Sequence, residues 1–157
     1  MDRKRLEDQL AIDEGRKNEV YRDTLGFLTV GIGHKVTPVD NLHDNDQVSD
    51  ERIDALFSAD LDAAITYVEK YIPSSYNDQP EAVQEALINM CFNLGIGNLM
   101  KFPHFLADLA ARNYEAAAHE LETSLWYRQV GDRAKRIVTA VRSAGVPSDS
   151  AWQPEAA

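Results

Sequence analysis

At 157 residues, 44% of them apolar and 27% charged, the chain is long enough to bury one hydrophobic core and too apolar to be a disordered polypeptide. A formal net charge of −10 argues against a nucleic-acid partner, and no stretch approaches the roughly 18 consecutive apolar residues of a membrane span. The charged start Met1-Asp2-Arg3-Lys4-Arg5 leads into no apolar run of the secretory-signal kind, so the expected place of synthesis and folding is a cytoplasm. The lone cysteine, Cys91, cannot form an intramolecular disulfide and reads as a small buried hydrophobe within the apolar run 86–92. Acidic residues concentrate over 40–62, whereas 128–142 is basic and offers a local face for an anionic polymer.

In chain order, residues 2–14 read as a helix with Leu6 and Leu10 one turn apart and Gly15 as its stop. Residues 21–26 read as a strand end and turn. Phe27 to His34 then alternates, with Leu28, Val30 and Ile32 on a core face and Thr29, Gly31 and Gly33 on the opposite, barer face. A polar loop runs from Thr37-Pro38 to Gln47. Ser49 reads as the N-cap of a long helix over 49–71, with the stripe Ile53, Leu56, Phe57, Asp60, Leu61, Ala64, Ile65, Val68 and a stop at Pro73. Pro80 opens the candidate central core helix, which carries Val83, Ala86, Leu87, Met90, Cys91 and Leu94 and closes at Gly95. Shorter helices are expected over about 102–111, over 114–123 capped by Asn113, and over 133–143 capped by Asp132, followed by a loose tail with Trp152 as an anchor.

Several of these residues can carry chemistry. Glu14, at the helix C-terminus, faces the negative end of the helix dipole, which disfavours its ionised form and suits a general acid. Asp23 follows nine residues later at the entrance to the β segment, and Thr29 lies beside two glycines on the bare face, a surface suited to a sugar and a held water. Taken singly, Glu14 also reads as a solvated helix-end charge and Asp23 as a turn aspartate. Asp60 falls within an apolar stripe and requires a partner, for which His34 is the candidate; the expectation is a structural ion pair. Asp44-Asn45-Asp46 lacks the glycine and glutamate spacing of a calcium loop, so no metal or other cofactor is expected.

The spacing of Glu14, Asp23 and Thr29 resembles the catalytic signature of the phage-type lysozymes, glycoside hydrolase family 24. The likeness extends through Ile12-Asp13-Glu14-Gly15, Tyr21-Arg22-Asp23, Thr29-Val30-Gly31-Ile32-Gly33-His34, Leu56-Phe57, Asp60-Leu61-Asp62-Ala63-Ala64, Ala86-Leu87-Ile88-Asn89-Met90, Trp126-Tyr127 and Arg133-Ala134-Lys135-Arg136, in family order. The resemblance implies an α+β, mainly α, two-lobed single domain. A small β lobe spans about 15–48, a connecting helix about 49–71 and a helical lobe about 78–146, with the helix 2–14 packed on that lobe and a tail at 147–157.

It further implies a muramidase that cleaves peptidoglycan strands in the cleft between the lobes with inversion. Glu14 would be the proton donor, Asp23 the carboxylate that activates or stabilises the attacking water, and Thr29 the residue that orients it. Such inversion uses carboxyls roughly 6.5–9.5 Å apart. Gly31, Gly33, Phe92 and Asn93 are implied glycan contacts, Arg133 an ion-pair partner of Glu14, and His34 and Asp60 supporting residues. The resemblance also implies a monomer without stable membrane insertion, which waits in the host cytoplasm and reaches the periplasmic wall through a holin-type pore during lysis.

Three features depart from the family's type enzyme. The segment 37–48 is shorter, Lys35 replaces an apolar cleft residue, and the net charge is acidic rather than basic. A lytic transglycosylase, which needs one glutamate and no activated water, and a non-catalytic glycan-binding module or lysis-inhibitor-like interaction protein are the rival readings. Asp23 and Thr29 speak against the first, and the intact set of three against the second.

Overall fold

The computed structural model of the chain describes residues 1–146; the tail expected to be loose, with Trp152 as its anchor, lies outside the described residues. The chain divides into a unit of Asp2–Thr66 and a second unit from Tyr67 onward that includes Met1. Both are mainly helical, and the first carries a small antiparallel sheet, as an α+β, mainly α fold requires.

In the first unit, helix α1 (Arg3–Glu14) is capped by Asp2, whose side chain accepts from the Arg5 N–H, and it ends at Gly15, where φ is +75°. Leu6 and Leu10 are buried, as their spacing predicts. The sequence reading places this helix on the helical lobe. Here it groups with the sheet, and Arg3 reaches Asp62 at 2.7 Å and the Ser58 hydroxyl at 3.4 Å.

Strands β1 (Lys17–Arg22), β2 (Leu28–Gly31) and β3 (His34–Lys35) form the sheet in that order. The alternation expected to run from Phe27 to His34 therefore breaks into a hairpin. Gly31 and Gly33 both adopt φ +66°, a region that costs other residues about 1–2 kcal/mol, and the chain reverses through Ile32 and Gly33. Residues 45–48, expected as loop, run along the free edge of β1. Val20 N–H donates to the Asp46 carbonyl at 2.9 Å and Val48 N–H to that of Asn18 at 2.7 Å, which satisfies edge groups that would otherwise be open.

Helix α2 (Asp50–Tyr71) matches its expected span, with the Ser49 hydroxyl accepting from the Arg52 N–H at 3.2 Å. Ile53, Leu61 and Val68 are fully buried. At about 1.5–3 kcal/mol each, such burial outweighs the small helix-propensity differences along the segment.

The second unit contains α3 (Pro73–Tyr76), α4 (Glu81–Leu94), α5 (Ile96–Leu99), α6 (Pro103–Ala110), α7 (Tyr114–Glu122), α8 (Leu125–Val130) and α9 (Asp132–Ser143). Its core centres on α4, where Val83 and Ala86 through Cys91 are buried. Burial pushes the Cys91 thiol up to about 11, consistent with its reading as an inert hydrophobe. Asn113 caps α7 as expected. The cap of α9 is Gly131 rather than Asp132, which occupies the first helical turn. The basic stretch 128–142 is no continuous face: Arg133 is buried, and Arg142 is taken up by Glu115 at 2.9 Å and Glu122 at 3.1 Å.

Candidate active site

Asp23 lies just beyond β1, where the chain turns toward β2. Its Oδ1 accepts from the Leu25 and Phe27 N–H groups, each at 2.9 Å, and its own N–H donates to the Phe27 carbonyl at 2.9 Å. Gly26 at φ +88° permits the tight return. The Phe27 N–H, above all, holds the Asp23 carboxyl below its ordinary value. Partial burial opposes it, while the Leu25 N–H and the Lys35 ammonium reinforce it. Asp23 is therefore a carboxylate fixed in orientation by its own turn.

Thr29 joins the same arrangement through Phe27. Its hydroxyl donates to the Phe27 carbonyl at 3.1 Å, the oxygen that also receives the Asp23 N–H. With the hydrogen engaged, the oxygen retains acceptor capacity toward a water. The sequence reading points Thr29 away from the core along a bare strip. It is instead buried, being on the central strand with Tyr21 of β1 and Lys35 of β3 directly opposite it on either side. Directly opposed residues in an antiparallel ladder share one face, so Tyr21, Thr29 and Lys35 form a row.

Glu14, the last residue of α1, is half-buried. Its carboxylate lies over Gly33: a Cβ at that position would fall 2.7 Å from Oε1 and 3.0 Å from the carboxyl carbon. Glycine at 33 thus serves both the hairpin turn and the space that Glu14 occupies. The Tyr21 phenol is pushed up first by burial and then by the negative charges of Glu14 and Asp23. Asp23 and Thr29 are thus joined through Phe27 at the β1–β2 turn, while Glu14 and Gly33 meet at the β2–β3 turn, the other end of the four-residue strand β2.

Gly31 is placed differently. A Cβ there would meet Ile53 Cγ2 at 2.9 Å, so its missing side chain makes room for α2. His34 and Asp60 form the expected ion pair, Nδ1 to Oδ2 at 2.7 Å. A second acid, Asp40, takes the other ring nitrogen at 2.8 Å and also receives the Thr37 N–H at 2.8 Å. The hydrogen bond to Asp60 is the main force raising His34 to about 9; burial works against it and Asp40 adds to it. Burial pushes Asp40 up, but His34 and the Thr37 N–H outweigh it and leave the acid below its ordinary value.

Phe92 and Asn93, both half-buried, belong to α4 in the second unit, as does the buried Asn89 whose Oδ1 accepts from Arg133 Nε at 2.7 Å. Sequence reasoning placed Lys35 at a cleft position without giving it a role there, and missed Tyr21 and Asp40 as members of the constellation. That Tyr21 and Lys35 flank Thr29 is signalled only by cross-strand register. Asp40 could have been found from Thr37-Pro38-Val39-Asp40, a capping-box spacing that turns its carboxylate back over the preceding backbone.

The phage lysozyme family profile matches residues 11–143. The chain is 28% identical to probable T4-type lysozyme 1 of Dictyostelium discoideum, over 88% of this chain and 94% of that protein. It is 30% identical to probable T4-type lysozyme 2 of the same organism, over 85% and 91% respectively. It is 28% identical to peptidoglycan hydrolase gp36 of Pseudomonas phage phiKMV, over 83% of this chain and 14% of that protein. The matched span contains both acids, the sheet that fixes Asp23 and all the helices from α2 to α9, and on that basis the chain belongs to the phage lysozyme family and is a glycoside hydrolase.

Proposed function

We propose that this enzyme hydrolyses the β-1,4 bond between N-acetylmuramic acid and N-acetylglucosamine in peptidoglycan, inverts the anomeric centre, and serves host-cell lysis. The similarity to a protein named peptidoglycan hydrolase supports the substrate class. What supports the mechanism is a carboxyl at each end of strand β2, Glu14 over Gly33 and Asp23 fixed by the Leu25 and Phe27 N–H groups, with Thr29 tied to the same Phe27 carbonyl as Asp23.

In this reading Glu14 gives its proton to the glycosidic oxygen as the C1–O bond breaks. A water attacks C1 from the opposite face of the ring. Asp23 Oδ2, the oxygen not occupied by the turn, takes the water's proton or stabilises the positive charge developing on the sugar. Thr29 accepts a hydrogen bond from that water and so fixes its line of approach. Gly33, Phe92 and Asn93 are assigned to glycan binding and Arg133 to electrostatic support of Glu14. The enzyme acts as a monomer, is held in the host cytoplasm until lysis, and meets the wall after passage through a holin-type pore.

Digestion of purified peptidoglycan followed by borohydride reduction tests the bond assignment. The expected new ends are muramitol derivatives. Glucosaminitol ends would place the cleavage at the other linkage, and 1,6-anhydro ends would mean transglycosylation.

A further inference from the structure

Asp23 is held on one side only by its turn. Both backbone donors, from Leu25 and Phe27, go to Oδ1. The protein group on Oδ2 is the Lys35 ammonium at 3.5 Å, and that same ammonium stands 4.8 Å above the centre of the Phe27 ring. Lys35 is opposite Thr29 in the β2–β3 ladder, so the cation arises from the row that contains Thr29 and Tyr21. A lysine has four rotatable bonds, and an exposed one gains little from a lone ion pair. Here the aromatic face supplies a second attraction to the same point. The remaining charged neighbours are differently engaged. Arg22 points to Asp44 and the Gly26 carbonyl, at 3.1 and 3.0 Å, and Glu14 lies over Gly33 at the other end of β2.

We propose that Lys35 is a positioning residue for Asp23: steadied on Phe27, its ammonium fixes Oδ2 and keeps the carboxylate ionised in the orientation that serves the attacking water. This rests on the reading of Asp23 as the water-side carboxylate. The pairing compensates a weakness of a strongly acidic protein, in which the surrounding negative potential favours a proton on Asp23.

The test compares the wild-type protein with Lys35→Met and Lys35→Arg. Titration of the Asp23 carboxyl carbon by NMR reports the pairing whether or not any glycan is cleaved. The pH dependence of kcat/KM on soluble peptidoglycan fragments reports its use. Lys35→Met is expected to move the Asp23 midpoint upward. It should also lower kcat/KM on the acid side by roughly two- to fivefold at low salt, a difference that shrinks as salt screens the pair. The alkaline side should be unchanged, and Lys35→Arg should restore both readouts. Lys35 is 61% exposed, so the variants keep the fold, which circular dichroism at each pH verifies. An unmoved Asp23 midpoint in Lys35→Met, a moved midpoint with an unaltered activity profile, or failure of Lys35→Arg to restore either readout overturns the proposal. A wild-type protein that cleaves nothing would end the functional reading, while the carboxyl titration would still decide whether Lys35 holds Asp23.

Discussion

Glu14→Gln is expected to lose roughly 10²–10⁴-fold in kcat while the protein stays folded. The substitution keeps the shape that fits over Gly33 and removes only the transferable proton. Asp23 needs a more careful choice of replacement. Asp23→Ala removes the acceptor for the Leu25 and Phe27 N–H groups as well as the charge, so it loosens the turn in addition to disabling the chemistry. Asp23→Asn retains an oxygen for those two donors and abolishes the charge alone. Both Asp23 variants should fall by at least about 10²-fold, with Asp23→Ala also melting at a lower temperature. Turbidity loss of outer-membrane-permeabilised Gram-negative cells measures the rates, and thermal unfolding measures the fold. Substantial activity in Glu14→Gln would remove the acid assignment, and a near-normal rate in Asp23→Asn would favour the transglycosylase reading.

The second large effect concerns stability and the cluster of His34, Asp40 and Asp60. The His34 ring is charged well beyond neutral pH because acids occupy both of its nitrogens, and its side chain is only 11% exposed. A raised histidine contributes its full stabilisation below the ordinary value of 6.5 and loses it as pH rises through about 9. That shift corresponds to on the order of 3 kcal/mol. Asp40 is depressed, so its contribution is present above the ordinary carboxylate value and disappears as the solution is acidified. The cluster is therefore strongest between about pH 4 and 6.5.

His34→Gln should cost about 3–5 kcal/mol near pH 6, because it leaves Asp40 and Asp60 without their shared cation. Its melting temperature should approach that of the wild type as pH rises toward 9.5. A wild-type-minus-variant difference that stays constant from pH 6 to 9.5 would mean that His34 is not an imidazolium in the folded protein.

What the sequence revealed follows from where side chains report their surroundings. The stripe from Ile53 to Val68 repeats over about four turns and locates α2 almost to the residue, and the same stripe exposed Asp60 as an acid in need of a partner. Glycine carries no such signal. Gly31 and Gly33 looked like two positions of one bare strand face, but the first makes room for Ile53 and the second for Glu14, on either side of a chain reversal. The pairing of Lys35 with Asp23 depends on strand register, which a short hairpin with two positive-φ glycines does not disclose from its pattern of residues. Short helices were also missed: α3, α5 and α8 have four to six residues, less than two turns, too few for a period to show.

The central claim is that Glu14 and Asp23 act on opposite faces of one sugar ring, with water as the only nucleophile. The most direct measurement is the proton NMR spectrum of a soluble peptidoglycan fragment in the first minutes of digestion, before the new reducing end mutarotates. The α anomer of the muramic acid end should appear first, with the β anomer following only as the two equilibrate. A β anomer formed first would instead require a covalent or substrate-assisted path, and the assignment of Asp23 to the attacking water would be wrong.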